Sequence, residues 1–160
     1  MTDALVIRDA KAGDEESIVA ALRDFAVFER LEHLFRLTPE IVRRDFFGTQ
    51  RRVQCGIAEW DGAFAGLMVW FHAYATFRAI PTFFLEDIYV LPEFRRRGIA
   101  KQFLRHLAQE AVREGAGRID WAVLDWNLRA IAFYESIGAP VVEGWGICRL
   151  QGEALARLAQ

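Results

Sequence analysis

Cysteine is nearly absent from this 160-residue chain: Cys55 and Cys148 stand far apart, each among apolar neighbours. Two such residues exclude a disulfide scaffold and lack the paired spacing of a zinc or redox site. Both are expected to be buried thiols in a reducing compartment. Histidine is as sparse, and His33, His72 and His106 are too dispersed to form a ligand cluster, so no metal is expected. The four prolines occur singly, and no repeat or low-complexity linker interrupts the chain, so one domain over 1–160 is expected. The longest uncharged run, 62–77, ends at Asp61 and Arg78 and contains His72. It falls short of the ~20 residues that a spanning helix needs. The first residues, Met1-Thr2-Asp3-Ala4, do not open a basic-then-apolar leader. A cytoplasmic protein without membrane association is the expectation. An excess of one charge is missing too: 20 Lys and Arg against 22 Asp and Glu leave −2, which argues against a nucleic-acid binder. Finally, the chain has no Gly-x-Ser-x-Gly motif or Cys/His pair that would suggest a covalent acyl-enzyme.

What is present reads as alternating strands and helices. Residues 5–9 (LVIRD) form a first strand, and Asp14 is placed to cap a helix whose apolar positions run Ile18, Leu22, Phe25, Ala26, Phe28. Thr38-Pro39 starts a second, short helix ending near Gly48. Residues 53–60 and 64–77 are β-rich, separated by Asp61-Gly62-Ala63, a hairpin signal. A strand over 82–90 precedes an amphipathic helix over 98–115, with Ile99, Phe103, Leu104, Leu107, Ala108, Ala111 and Val112 on one stripe. A strand over 118–124, a short helix over 128–137 ended by Gly138, and a last strand over 141–150 complete the chain. This order gives an α/β (α+β) three-layer domain with a mostly antiparallel front and βαβ crossovers.

The segment that carries chemistry is Leu85-Glu86-Asp87-Ile88-Tyr89-Val90-Leu91-Pro92-Glu93-Phe94-Arg95-Arg96-Arg97-Gly98-Ile99-Ala100. It passes from a strand through an arginine-rich loop directly into the long helix. The first turn of a helix presents unpaired N–H groups and a partial positive charge, an anion site suited above all to phosphate. Arg96, Arg97 and Lys101 add formal charge there, although cations at that end oppose the helix dipole. Glu86 and Asp87 are consecutive, so in a regular strand only one of them faces a given cleft. Two carboxylates buried unpaired would cost several kcal/mol, so at least one is expected to have a polar or charged partner.

Arg95-x-x-Gly98-x-Ala100 resembles the acetyl-CoA signature of the GNAT superfamily of N-acetyltransferases. With Leu85-Glu86-Asp87 before it, and Asp125-Trp126-Asn127 and 132–139 (AFYESIGA) after it, the chain is most similar to the diamine acetyltransferases of the spermidine/spermine and thialysine types. The likeness extends from Ile7-Arg8 to Trp145. It implies the GNAT fold, with a splayed central strand pair, and acetyl-CoA as cosubstrate. Main-chain groups of Ile88, Tyr89 and Val90 would pair with the pantetheine arm, and Arg95, Arg96, Arg97, Gly98, Ile99, Ala100 and Lys101 would hold the pyrophosphate. Asn127 would bond the pantetheine, with Leu128, Arg129 and Ala130 lining the cofactor.

The resemblance also implies Tyr134 as general acid to the departing thiolate and Glu86 as amine binder or water-relayed base, whereas Asp87 is read as structural and Phe133 as packing. Phe28, Glu29, Glu86, Glu143 and Trp145 match positions used for a cationic acceptor, with Glu32 beside them. Two departures, His33 where an acid is expected and Phe28 where a tyrosine is, weaken the site for a long polyamine. A diamine, a thialysine-like amino acid or a polyamine therefore all stay open as the acceptor. An acyl-CoA-binding module without transfer, or transfer to a protein amine, are the competing readings. The family's habit and the aromatic-rich stretch 70–84 suggest a homodimer.

Overall fold

Asp61 and Gly62 both take positive φ, 50° and 81°, as a two-residue type I′ turn requires. They fold β2 (Gln54–Trp60) back onto β3 (Ala63–Ala75). This hairpin is the middle of the sheet in the computed structural model, which describes residues 4–160. β1 (Leu5–Asp9) pairs antiparallel with β2, and β4 (Ile80–Val90) antiparallel with β3. β5 (Ile119–Trp121) joins β4 in parallel, giving one mixed sheet in the order β1-β2-β3-β4-β5. The uncharged run 62–77 is thus mostly β3, buried from Ala65 to Trp70.

Helices cover both faces. α1 (Glu15–Phe28) and α2 (Pro39–Phe46) put Ile18, Val19, Ala21, Val42 and Phe46 against Cys55, Ile57, Leu67, Val69 and Tyr89. Because strand side chains alternate, Met68 belongs to the other face, where α3 (Ile99–Arg113) buries Ile99, Phe103, Leu104, Leu107 and Ala111. Val112, expected on that stripe, is instead largely exposed. Thr38 caps α2 as expected, its Oγ1 accepting the Ile41 amide at 3.3 Å ahead of Pro39. Asp14 makes no side-chain cap on α1; Arg8 takes its carboxylate in a two-pronged bond, 2.8 and 2.9 Å, and the Lys11 amide adds a third. That guanidinium holds the Asp14 carboxyl below its usual range.

The described chain divides into two compact units, the first ending at Ala122 and the second beginning at Val123. The second contains α4 (Leu128–Ser136) and α5 (Gly152–Leu158). The strand expected over 141–150 is not formed. Glu143 and Gly144 make a turn, with Gly144 at φ 79°, and every residue from Val141 to Leu150 is exposed. Glycines at 144 and 146 weaken a strand, and the segment has no ladder partner among the described residues. Cys148 lies in it and is exposed, contrary to expectation, whereas Cys55 is buried and its thiol is pushed up to about 12 by that burial. No helix among the described residues is long and apolar enough to cross a membrane.

Candidate functional site

The β3–β4 ladder slips by one residue in the middle. Val69 opposes Asp87 and Trp70 opposes Leu85, so Glu86 is the extra residue of a bulge. This changes which carboxylate goes where. The reset alternation puts Asp87 on the face of Val69 and Tyr89, beneath α1, while the looped-out Glu86 is exposed. The polar or cationic partner expected for this pair is not what surrounds Asp87: the charges acting on it are the carboxylates Glu86 and Glu29. Burial first, then those two neighbours, raise its carboxyl to about 7. Glu29 caps the end of α1 and is half-buried, and burial raises its carboxyl as well. The helix ends there because Arg30 turns left-handed at φ 63°, with the Leu31 amide bonded to the Ala26 carbonyl and the Arg30 amide to the Val27 carbonyl. Among the described residues no group of histidine, cysteine and acidic side chains could hold a metal ion.

Beside these acids runs an open strand edge. β5 pairs with β4 only from Phe83 to Leu85, so beyond Leu85 that edge of β4 has no strand beside it among the described residues. Ile88, Tyr89 and Val90 lie on this stretch, opposite Met68, Leu67 and Gly66 of β3 in the ladder on their other side; antiparallel pairing bonds alternate residues, so part of their main chain faces the open edge. An extended chain could bond there as an added strand. Gly66 keeps the two strands close: a Cβ on it would lie 2.4 Å from the Tyr89 carbonyl oxygen.

The loop after β4 makes a short 3-10 turn, Pro92–Phe94, then enters α3 through Arg96 and Gly98, both left-handed at φ 64° and 79°. The first helical bond runs from the Gln102 amide to the Gly98 carbonyl, leaving the preceding amides without a helical partner. Arg96, Arg97, Gly98 and Lys101 are exposed around this end. Arg97 lies over the rings of Trp60 and Phe94, 4.9 and 5.6 Å from their centroids. Arg95 turns the other way: its Nε–H donates to the Val90 carbonyl at 3.0 Å, and its guanidinium lies over Phe28 and Tyr89. The motif spacing singles Arg95 out from its neighbours but does not disclose this contact with α1.

In the second unit Asn127 caps α4, its Oδ1 accepting the Ala130 amide at 3.2 Å, which leaves the side-chain NH2 as a donor. Leu128 and Arg129 are exposed on the first turn of that helix, and Ala130 is half-buried. Tyr134 is buried one turn on, its ring tilted against Phe133 with centroids 5.4 Å apart. Glu143 and Trp145 sit in the exposed turn segment rather than in a strand.

The model of the acetyltransferase (GNAT) family matches residues 16–139. The chain belongs to that family. It is 34% identical to a thialysine N-epsilon-acetyltransferase of Bos taurus, over 97% of both chains. It is 44% identical to an L-ornithine N5-acetyltransferase of Arabidopsis thaliana, over 59% of this chain and 42% of that protein. Among solved structures, an integron cassette protein from the mobile metagenome of V. cholerae shares the fold, with a TM-score of 0.82 at 20% identity over 98% of each chain. The GNAT family model reaches from the second residue of α1 to the end of α4, and so takes in the bulged strand, the arginine loop, Asn127 and Tyr134. Glu143 and Trp145 lie beyond it.

Proposed function

We propose that this GNAT acetyltransferase moves the acetyl group of acetyl-CoA directly to a primary amine of a small cationic molecule: a diamine, a polyamine or a thialysine-like amino acid. The observation that carries the reading is the juxtaposition in β4 of a main-chain edge left open among the described residues with a bulge that offers two carboxylates, neither ion-paired with a described cation. The edge suits the pantetheine arm and the acids suit an ammonium. Relatives named for thialysine and for ornithine acetylation point to the same class of acceptor.

In this reading Ile88, Tyr89 and Val90 bond the pantetheine through their main chain, and one of their N–H groups steadies the oxyanion. The main-chain amides from Arg96 to Lys101, through Gly98, Ile99 and Ala100, take the pyrophosphate with the exposed side chains of Arg96, Arg97 and Lys101, and the Asn127 NH2 bonds the pantetheine beside Leu128, Arg129 and Ala130. Glu86 binds the ammonium and accepts its proton through water. As the neutral nitrogen bonds to the acetyl carbon, the carbon–sulfur bond breaks and Tyr134 protonates the departing thiolate, while the proton shed by the acylated nitrogen leaves through water and restores the phenol. Phe28, Glu29, Glu143 and Trp145 complete the acceptor side. The protein acts as a homodimer in the cytoplasm, without nucleic-acid or membrane partners and without a metal.

The test is a panel of diamines, polyamines and amino-acid amines incubated with acetyl-CoA and read by mass spectrometry. An acetylated small amine is the expected product, and Tyr134→Phe is expected to slow thiol release by about tenfold or more. Tight acetyl-CoA binding with no product from the whole panel would instead identify a binding module. Unchanged turnover in the variant would remove Tyr134 from the mechanism.

A further inference from the structure

The arginine loop and the end of α1 are separated by more than 60 residues of sequence, yet one guanidinium touches both. Arg95 lies with its guanidinium carbon 5.6 Å from the Phe28 ring centroid and 5.5 Å from that of Tyr89. Phe25 stacks on both rings, 5.2 Å from Tyr89 and 6.5 Å from Phe28. Phe25 thus links the two rings that seat Arg95: Tyr89 belongs to the buried core, Phe25 packs against it, and Phe28 stacks on Phe25 at the exposed end of α1. The Nε–H bond to the Val90 carbonyl, 3.0 Å, sets the plane of the guanidinium. A planar cation suits such a seat, because it can lie against ring faces while an in-plane N–H makes its bond. The next residue, Arg96, holds a left-handed backbone, φ 64°, a conformation that costs a non-glycine residue energy and needs surrounding contacts to persist.

We infer that Arg95 is a positioning residue, a latch that ties the phosphate-binding loop to the end of α1 through Phe28 and Tyr89. Phe28 is followed directly by Glu29, on the acceptor side of the proposed reaction, so the latch couples the seat of the acyl donor to that of the amine. The pyrophosphate is then held by the exposed amides at the start of α3 with Arg96, Arg97 and Lys101. For its binding readout the inference rests on the acetyl-CoA reading above; its structural readout does not.

The experiment compares Phe28→Leu, Arg95→Met, Arg95→Lys and the Phe28→Leu/Arg95→Met double variant. Hydrogen exchange of the peptide covering 91–98 and calorimetric binding of acetyl-CoA are the two measurements. Phe28→Leu removes no charge, yet it is expected to speed exchange in that peptide and weaken acetyl-CoA binding roughly three- to tenfold, the scale of a lost cation–π contact and its loosened bond. The double variant is expected to be no worse than Arg95→Met alone, since both break one link. Arg95→Lys should resemble Arg95→Met, because an ammonium keeps the charge but not the planar seat. The latch is overturned if Phe28→Leu leaves 91–98 exchange unchanged, or if the two substitutions add while Arg95→Lys retains wild-type binding. A wild-type protein that binds no acetyl-CoA would sink the cosubstrate assignment instead, and the exchange data would still decide the latch.

Discussion

Asp87 shows how one side chain's surroundings set its chemistry. Burial and two neighbouring carboxylates raise it to about 7, so near neutral pH it exists partly as the acid. In the unfolded chain it titrates near the ordinary value of 3.8, and between these limits the folded state binds more protons. Its contribution to stability is therefore complete below about pH 4 and is lost as pH rises through about 7. Asp87→Asn is expected to raise Tm over wild type at pH 8, by an amount that shrinks steadily as pH falls toward 4, in thermal melts across that range. If the bulge seats the amine as proposed, the same substitution removes a carboxylate beside it, so the KM for a diamine should rise several-fold at pH 8. A stable variant with an unchanged KM would make Asp87 a bystander. A cationic amine bound here would favour the ionised carboxylate.

At the scale of elements, the consecutive Glu86 and Asp87 were legible as a pair but their directions were not. Regular alternation sends neighbours to opposite faces, and only the slip at Val69/Trp70 reveals the bulge. Gly66 tests the element built around that slip. A Cβ 2.4 Å from the Tyr89 carbonyl and 3.0 Å from the Val90 Cα cannot be accommodated without moving the β4 backbone. Gly66→Ala should lower Tm and, by displacing the stretch that would bond the pantetheine, raise the acetyl-CoA KM by roughly tenfold, about 1.4 kcal/mol. Wild-type kinetics in a destabilised variant would separate the edge from cofactor binding. The hairpin turn and the Thr38 cap were readable because each depends on two or three adjacent residues. The strand expected at 141–150 failed because alternating apolar residues do not make a strand without an edge to bond.

For the whole molecule, exposed apolar side chains include two groups that are close in sequence. The β3–β4 tip presents Tyr74 and a fully exposed Phe77, and the second unit presents Val141, Val142, Trp145, Ile147 and Leu150. Exposed apolar clusters of this kind commonly mark association surfaces. Sedimentation equilibrium is expected to give twice the 18.3 kDa chain mass, and Tyr74→Ser/Phe77→Ser to shift the protein toward monomer at micromolar concentration. A wild-type monomer would end the homodimer proposal.

The pattern of apolar residues determined the order of β1 to β4 and the helices α1 to α4, and the arginine-glycine run the loop that enters α3, because periodicity, caps and turn residues act over a few neighbours. The motif residues likewise disclosed the family through their order along the chain. What only tertiary structure decided was direction: Asp87 turned under α1 by a bulge, Arg95 drawn from its loop onto the rings of Phe28 and Tyr89, Cys148 left in the open. Each depends on groups distant in sequence, where packing and burial, rather than local preference, set the lowest free energy.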